Sequence, residues 1–359
     1  MIASSELILN PDGSVYHLNL KPENIAHDII FVGDPDRVEK ITQFFDSIEF
    51  SIQKREFKTQ TGIYKGKRLT VLSTGIGPDN IDIVLNELDA LVNIDLITRQ
   101  PKENLTSLNI IRIGTSGAIQ ADIPIDSFVL SQYGIGLDNM LRSYIVDEVT
   151  HKDIEDAFIA QTQWDVRKGR PYAIACSKTL EKRIESSEMY KGITCTIGGF
   201  YGPQGRVLRL PIQDNQLNSK MDHFQFNGNR ITNLEMETTA IYGLSALLGH
   251  NALSLNAIIA NRATGTFSEN PTKAVDELIV YVTGHGFENS NNPEPNVIVA
   301  TKENKELWID TSSLIKALGS GNLATSKKLL IVDTCRQLVN DDTMASASQT
   351  TFSGTIIKG

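Results

Sequence analysis

The sequence predicts an α/β protein in which helices flank a central sheet, and three stretches carry that prediction. Residues 27–41, HDIIFVGDPDRVEKI, hold a short apolar strand over 29–32 that stops at Gly33-Asp34-Pro35. A helix is expected from about Asp36, with Val38, Ile41, Phe44 and Phe45 at helical spacing and Arg37 in its first turn. Residues 69–85, LTVLSTGIGPDNIDIVL, repeat the pattern, with Pro78 well placed in a first helical turn and Ile81, Val84, Leu85 and Leu88 along one face. In residues 107–120, SLNIIRIGTSGAIQ, Ile110, Ile111 and Ile113 read as a buried strand running into a small-residue turn, Gly114-Thr115-Ser116-Gly117. Strand, glycine turn, helix and strand in this order build a layered sheet.

Arg112 lies inside the last of these apolar runs. A fixed positive charge is costly to bury unless an anion or a carboxylate meets it. The turn that follows offers backbone N–H groups and two hydroxyls to an oxyanion. The stretch alone leaves both partners open.

Composition narrows the classes of function. The 359 residues are enough for one large α/β domain or two units, and a formal charge of −9 disfavours nucleic acid or an anionic membrane as the main partner. Three widely spaced cysteines, Cys176, Cys195 and Cys335, fit a reducing compartment and carry no zinc spacing. With no basic flank leading into an apolar segment at the N-terminus, a cytoplasmic protein is expected.

Along the rest of the chain, residues 54–74 alternate polar and apolar around Lys65-Gly66-Lys67, a hairpin signature. None of the glycine groups matches a dinucleotide fingerprint or a Walker loop. Residues 138–170 turn polar and helical, as an inserted or covering element does. Residues 198–206, GGFYGPQGR, can stack on a planar ring and hydrogen-bond its edge, or simply pack their own Phe-Tyr pair at the surface. Residues 233–237, NLEME, are expected to open a helix whose stripe is Ala240, Leu244, Leu247 and Leu248; their two carboxylates either cap it or accept from sugar hydroxyls. An apolar strand ending in Asn261-Arg262 and a helix from about Pro271 through Ile279 follow.

Taken together, VGDPDRV, KREF, STGIG, IRIGTSGAIQ, GFYGPQGR, NLEMET and IIANR resemble, in order, the motifs of the uridine phosphorylase branch of the nucleoside phosphorylases over roughly residues 14–280. The resemblance implies a mixed, partly barrel-like sheet flanked by helices, and phosphorolysis of uridine to uracil and ribose 1-phosphate. No metal and no covalent enzyme intermediate are implied, with inorganic phosphate as co-substrate. By carry-over, Gly33, Arg37, Arg112 and Thr115 would bind phosphate, joined by Arg55 from a neighbouring subunit. Met236 and Glu237 would hold the ribose, with His17 also supplied across the interface. Phe200, Gln204 and Arg206 would recognise the base, so that Arg112, Gln204, Arg206 and Glu237 form the catalytic set. Glu56 stands where the family can hold a monovalent cation. The implied assembly is a homodimer, often built into hexamers. Purine members commonly carry an aspartate where this chain has Asn261-Arg262, which points to a pyrimidine.

Residues 281–359 fall outside that resemblance and are expected to form a second module. LIVYVTGHGF reads as a strand ending at His285, KLLIVDTCRQ as another leading to Cys335, with a hairpin over 296–310 and a helix over 311–318 between them. A thiol and a histidine at two strand ends resemble the dyad of caspase and metacaspase peptidases, with residues 346–349 similar to a later strand. That family has two strands and two helices before its histidine, and here the phosphorylase-like helix runs straight into it. A degenerate module, half of a sheet completed by another chain, and chance similarity are the alternatives. Two rivals to the phosphorylase reading follow: a nucleosidase of the same fold, and a caspase-like peptidase or signalling protein using residues 1–280 as a nucleoside sensor or oligomerisation platform.

Overall fold

The computed structural model describes residues 1–285, with side chains through 279, and the backbone of three short strands beyond them. By its internal contacts the chain divides into two compact units, Met1–Leu278 and Ile279–Gly359.

The first unit begins with β1 (Asp28–Val32), α1 (Asp36–Thr42), the antiparallel run β2 (Ser47–Lys54), β3 (Phe57–Tyr64) and β4 (Lys67–Ser73), and α2 (Pro78–Asn93). A small ribbon, β5 (Ile94–Asp95) with β6 (Gln100–Pro101), precedes the long strands β7 (Asn109–Ala118) and β8 (Phe128–Gly136). Next come α3 (Lys152–Thr162), β9 (Tyr172–Ala175), α4 (Lys178–Ile184) and β10 (Tyr190–Thr196). The unit continues with α5 (Leu217–Asp222), β11 (Gln225–Phe226), β12 (Asn229–Glu235), α6 (Thr238–Leu248), β13 (Asn251–Asn261), β14 (Thr266–Phe267) and α7 (Pro271–His285).

One mixed sheet organises these elements in the order β11-β12-β10-β8-β13-β7-β1-β4-β3-β2. A further pairing of β12 with β7 closes β7, β13, β8, β10 and β12 into a ring, the barrel-like part of the sheet. β7 lies parallel to β1 on one side and to β13 on the other, and this double coverage buries Ile110, Ile111 and Ile113 almost completely. The register sets Arg112 beside Phe31 and Ser254.

Residues 138–170 form a wall beside the ring. Its pin is Glu155, whose fully buried carboxylate accepts from Arg142 at 2.9 Å and Arg170 at 2.7 Å. Below it, Phe158 packs against Trp164 and Phe224, each ring pair 5.6 Å apart between centres. Among the described residues no helix is long and apolar enough to cross a membrane.

Four expectations are corrected. Gly114-Thr115-Ser116-Gly117 is not a turn but the far half of β7; small residues are needed there because a Cβ on Gly114 would come within 1.8 Å of the Arg112 guanidinium. Residues 233–235 end β12, and α6 begins only at Thr238. α1 stops at Thr42, leaving Phe44 and Phe45 beyond it. LIVYVTGH is helix rather than strand: α7 starts at Pro271 and runs to His285. Buried Ala274, Val275, Leu278 and Ile279 make the stripe of a helix, which a short apolar run cannot reveal by itself.

In the second unit, β15 (Asn296–Ala300) pairs antiparallel with β16 (Leu307–Asp310), the expected hairpin, and with β17 (Leu330–Ile331). The caspase-like expectation has no support in the described residues. His285 ends a helix, while Cys335, the helix over 311–318 and residues 346–349 lie outside the described residues.

Candidate active site

Arg112 projects from the middle of β7 into a fully partnered, buried position. Its Nη1 donates to Asn256 Oδ1 at 2.8 Å, and its Nη2 meets Glu237 Oε2 at 2.5 Å and Glu235 Oε2 at 3.3 Å. Burial works against the charge, but the two carboxylates outweigh it and hold the guanidinium above its ordinary value. Those carboxylates differ in their partners. Glu235 caps α6, accepting from the N–H groups of Glu237 and Thr238 at 2.9 Å each. Glu237 turns away from the helix, bridging Arg112 and the N–H of Gly77 at 2.8 Å. Burial, and then the neighbouring Glu235, push the Glu237 carboxyl upward against the pull of Arg112. Gly77 can sit at the start of α2 because it adopts φ +95, a conformation a side chain would strain.

A second cation approaches the same place. Arg37, in the first turn of α1, is half-buried, and burial lowers its guanidinium below the ordinary value while Asp34 pulls it back up and Arg112 pushes it further down as a like charge. Among the described residues no carboxylate lies within ion-pairing distance of it. An oxyanion between them would relieve the repulsion that these two guanidinium groups exert on one another. Gly33 closes this end against the Gly75 carbonyl, to which a Cβ at residue 33 would approach within 3.7 Å. Thr115 is half-buried on β7, with no described contact joining it to Arg37 or Arg112.

The loop after β10 forms the other end. Pro203 and its neighbours make a short 3-10 turn, Gly202–Gln204, which sinks Gln204 to 2% exposure. Arg206 Nη1 donates to Gln204 Oε1 at 2.5 Å and to the Phe200 carbonyl at 2.6 Å. Its guanidinium lies 3.8 Å from the centre of the Phe200 ring, which stays half exposed. Burial, reinforced by Arg262, lowers Arg206 to about 10. A cleft of about 1040 Å³ is lined by Gly77, whose N–H meets Glu237, by Met236, Ile197 and Gly198, and by Tyr201 and Arg206; Arg37, Arg112, Thr115, Glu237, Phe200 and Gln204 do not line it.

Two further residues bear on this region: Arg262, to which the sequence assigned no contact of its own, and Asp138, which it marked only as the start of the polar segment. Arg262, immediately after β13, donates to the Gln204 carbonyl at 3.2 Å and so steadies the loop. Asp138, just past the end of β8, lines the cleft and accepts from the Tyr172 hydroxyl at 2.7 Å; burial raises its carboxyl despite that bond. Both follow strand ends, that of Arg262 predicted from the sequence and that of Asp138 not. Asn261 is spent on the backbone: its amide donates to the Gln120 and Ile123 carbonyls at 2.9 and 2.7 Å and accepts from Ala263 and Thr264.

His17 and Arg55 are not brought to this cleft. Arg55 is exposed at the β2–β3 turn with φ 58. Its neighbour Lys54 reaches the segment that holds His17, donating to the Tyr16 carbonyl and placing its ammonium 4.6 Å from the centre of the Tyr16 ring. The segment that holds His17 thus touches the strand residue before Arg55. Glu56 packs beside Gly75, where a Cβ on that glycine would meet Glu56 Cγ at 2.8 Å. Among the described residues no group of three His, Cys, Asp or Glu side chains is arranged to hold a metal ion.

This chain is similar to several nucleoside phosphorylases. A uridine phosphorylase of Thermococcus kodakarensis is 29% identical over 272 residues, which is 74% of this chain and 84% of the relative. A DeoD-type purine nucleoside phosphorylase of Oceanobacillus iheyensis is 27% identical over 274 residues, covering 73% of this chain and 98% of the relative. The crystal structure of a Trypanosoma brucei nucleoside phosphorylase that shows uridine phosphorylase activity superposes with a TM-score of 0.68 at 29% identity, over 77% of this chain and 99% of that one. The model of the phosphorylase superfamily matches residues 28–283, and this chain belongs to that family.

Proposed function

We propose that the chain is a pentosyltransferase that splits uridine with inorganic phosphate, releasing uracil and ribose 1-phosphate. The observation that carries this reading is one cleft with two chemically distinct ends: Met236 beside the Arg112–Glu237 pair at one, the Gln204–Arg206 clamp at the other. Phosphate held by Arg37, Arg112, Thr115 and the Gly33 backbone attacks the anomeric carbon. The glycosidic bond breaks as the new C–O bond forms, and the electron pair leaves on the uracil ring. Fixed donors placed where charge develops stabilise such a transition state with little reorganisation. Gln204 and Arg206 take that role on the uracil carbonyls, while Glu237 and Met236 hold the ribose. Arg55 and His17 complete the site from a second copy of the chain, so a dimer is the minimal active unit. Residues 1–280 carry the whole activity, and 281–359 form a separate module.

Base preference rests on Asn261. A side chain engaged by two carbonyls and two N–H groups has nothing left to protonate a purine ring. Uridine is therefore preferred over inosine and adenosine.

The test is uracil release from uridine by the purified chain, with and without phosphate, beside Arg37→Ala and Arg206→Ala. Phosphate-dependent release that falls in both variants by roughly a hundredfold or more, the scale of a lost transition-state donor, is the expected result. Release that ignores phosphate would make the chain a nucleosidase, and faster cleavage of inosine than of uridine would overturn the assignment of the base.

A further inference from the structure

One carboxylate holds His17 by three bonds. Glu87, on α2, accepts from the N–H of His17 at 2.9 Å, from the N–H of Leu18 at 2.8 Å and from His17 Nδ1 at 2.7 Å. A carboxylate only accepts, so Nδ1 carries a proton, and in the neutral imidazole Nε2 is then the acceptor. Tyr16 closes on the ring edge-on at 4.9 Å between centres, and the His17 side chain remains 27% exposed above a Glu87 that is only 15% exposed. The imidazole is thus fixed in orientation and tautomer, with its acceptor nitrogen uncommitted.

This arrangement is out of place for the chain's own cleft. Gly77, whose N–H donates to Glu237, is at the N-terminus of the same helix. The ten residues from Gly77 to Glu87 span about 15 Å at the helical rise, beyond the reach of an imidazole anchored at Glu87. A ring presented so carefully has its work elsewhere, on a segment that Lys54, next to Arg55, contacts through Tyr16.

We propose that Glu87 is a positioning residue acting in trans: it sets His17 Nε2 as the acceptor for a sugar hydroxyl of a nucleoside bound in a second copy of the chain. The inference rests on the phosphorylase reading above and adds to it the group that determines how His17 is presented. Glu87→Gln keeps an oxygen for the backbone N–H groups but offers Nδ1 an amide donor, which moves the ring proton to Nε2 and turns the acceptor into a donor.

The experiment measures uridine phosphorolysis by the full chain in Glu87→Ala, Glu87→Gln and His17→Ala, and in assemblies mixed with Arg206→Ala. Each Glu87 variant is expected to lose about tenfold in kcat/KM, mainly through KM, with no added loss when combined with His17→Ala. Arg206→Ala disables its own cleft but keeps an intact Glu87–His17 pair. Doubly tagged mixed assemblies of Glu87→Ala with Arg206→Ala therefore recover activity several-fold above either parent. Mixed assemblies that stay at the mean of their parents would overturn the proposal, as would Glu87 variants with wild-type kcat/KM or with losses that add to those of His17→Ala. If Glu87→Ala does not fold, Glu87→Gln serves in the mixing. A wild-type chain that releases no uracil with phosphate present would instead sink the phosphorylase reading, and this inference with it.

Discussion

Arg112 and Asn261 show how far a side chain's chemistry depends on what its neighbours leave free. Arg112 has its Nη groups committed to Asn256, Glu235 and Glu237, which makes it the fixed centre of a charge cluster. Its loss would leave two buried carboxylates uncompensated, and Arg112→Ala is expected to lower stability by roughly 3–5 kcal/mol as well as abolish activity. Arg37 is the cleaner probe of the anion end, since its half-buried guanidinium carries no ion pair among the described residues. At Asn261, Asn261→Asp would face the Gln120 and Ile123 carbonyls with a carboxylate in place of an amide donor. We expect it to cost about 2–4 kcal/mol in urea unfolding and to confer no inosine cleavage, because the new carboxyl points at backbone and not at the base. Gain of inosine cleavage in that variant would show that the side chain swings into the cleft.

Among the elements, two contacts decide how the sheet edge and the cleft wall are held. Asp28, the first residue of β1, pairs with Lys67 on β4 at 2.8 Å and accepts from Asn109 on β7 at 2.7 Å, tying three strands at one level. Burial raises its carboxyl, and Lys67 and Asn109 more than offset that, so it titrates below the ordinary carboxylate range. A depressed folded value means the stabilisation is complete above the unfolded pKa of about 4 and is lost as pH falls through the folded one. Asp28→Asn should therefore be less stable than wild type at pH 7 and converge with it in acid, as read by thermal midpoints from pH 7 down to 3. The wall depends on Glu155 in the same way. With its side chain fully buried between Arg142 and Arg170, Glu155→Ala is expected to lower stability by about 3 kcal/mol and to raise KM for the nucleoside, since Trp164 beyond α3 lines the cleft. A thermal midpoint within a degree of wild type would argue that the arginines find equal partners elsewhere.

For the whole molecule, the α/β class was legible because it depends on local pattern, apolar runs and glycine stops, whereas of the residues assigned to a site from the sequence the cleft is lined by Met236 and Arg206. Asp138 was not legible as a lining residue, because it reaches the cleft from the end of β8, which only the sheet order places there. Helix α7 was misjudged for a related reason. Residues 278–285 taken alone look like a buried strand, and only the stripe beginning at Ala274 reveals a helix. That helix also sets where the chain can be divided. Ala274, Val275, Leu278 and Ile279 are all at most 2% exposed, and Asp276 pairs with Lys40 of α1 at 3.4 Å. A chain ending at residue 285 keeps these contacts and should cleave uridine within about twofold of the full-length kcat/KM, if residues 281–359 are a separate module. A chain ending at residue 270 strips four buried apolar side chains from the fold and should lose several kcal/mol, at roughly 1.5–3 kcal/mol for each large one. Comparing both truncations by urea unfolding and uracil release separates the two contributions: loss of activity in the longer truncation, with its unfolding midpoint unchanged, would mean that the C-terminal residues take part in catalysis.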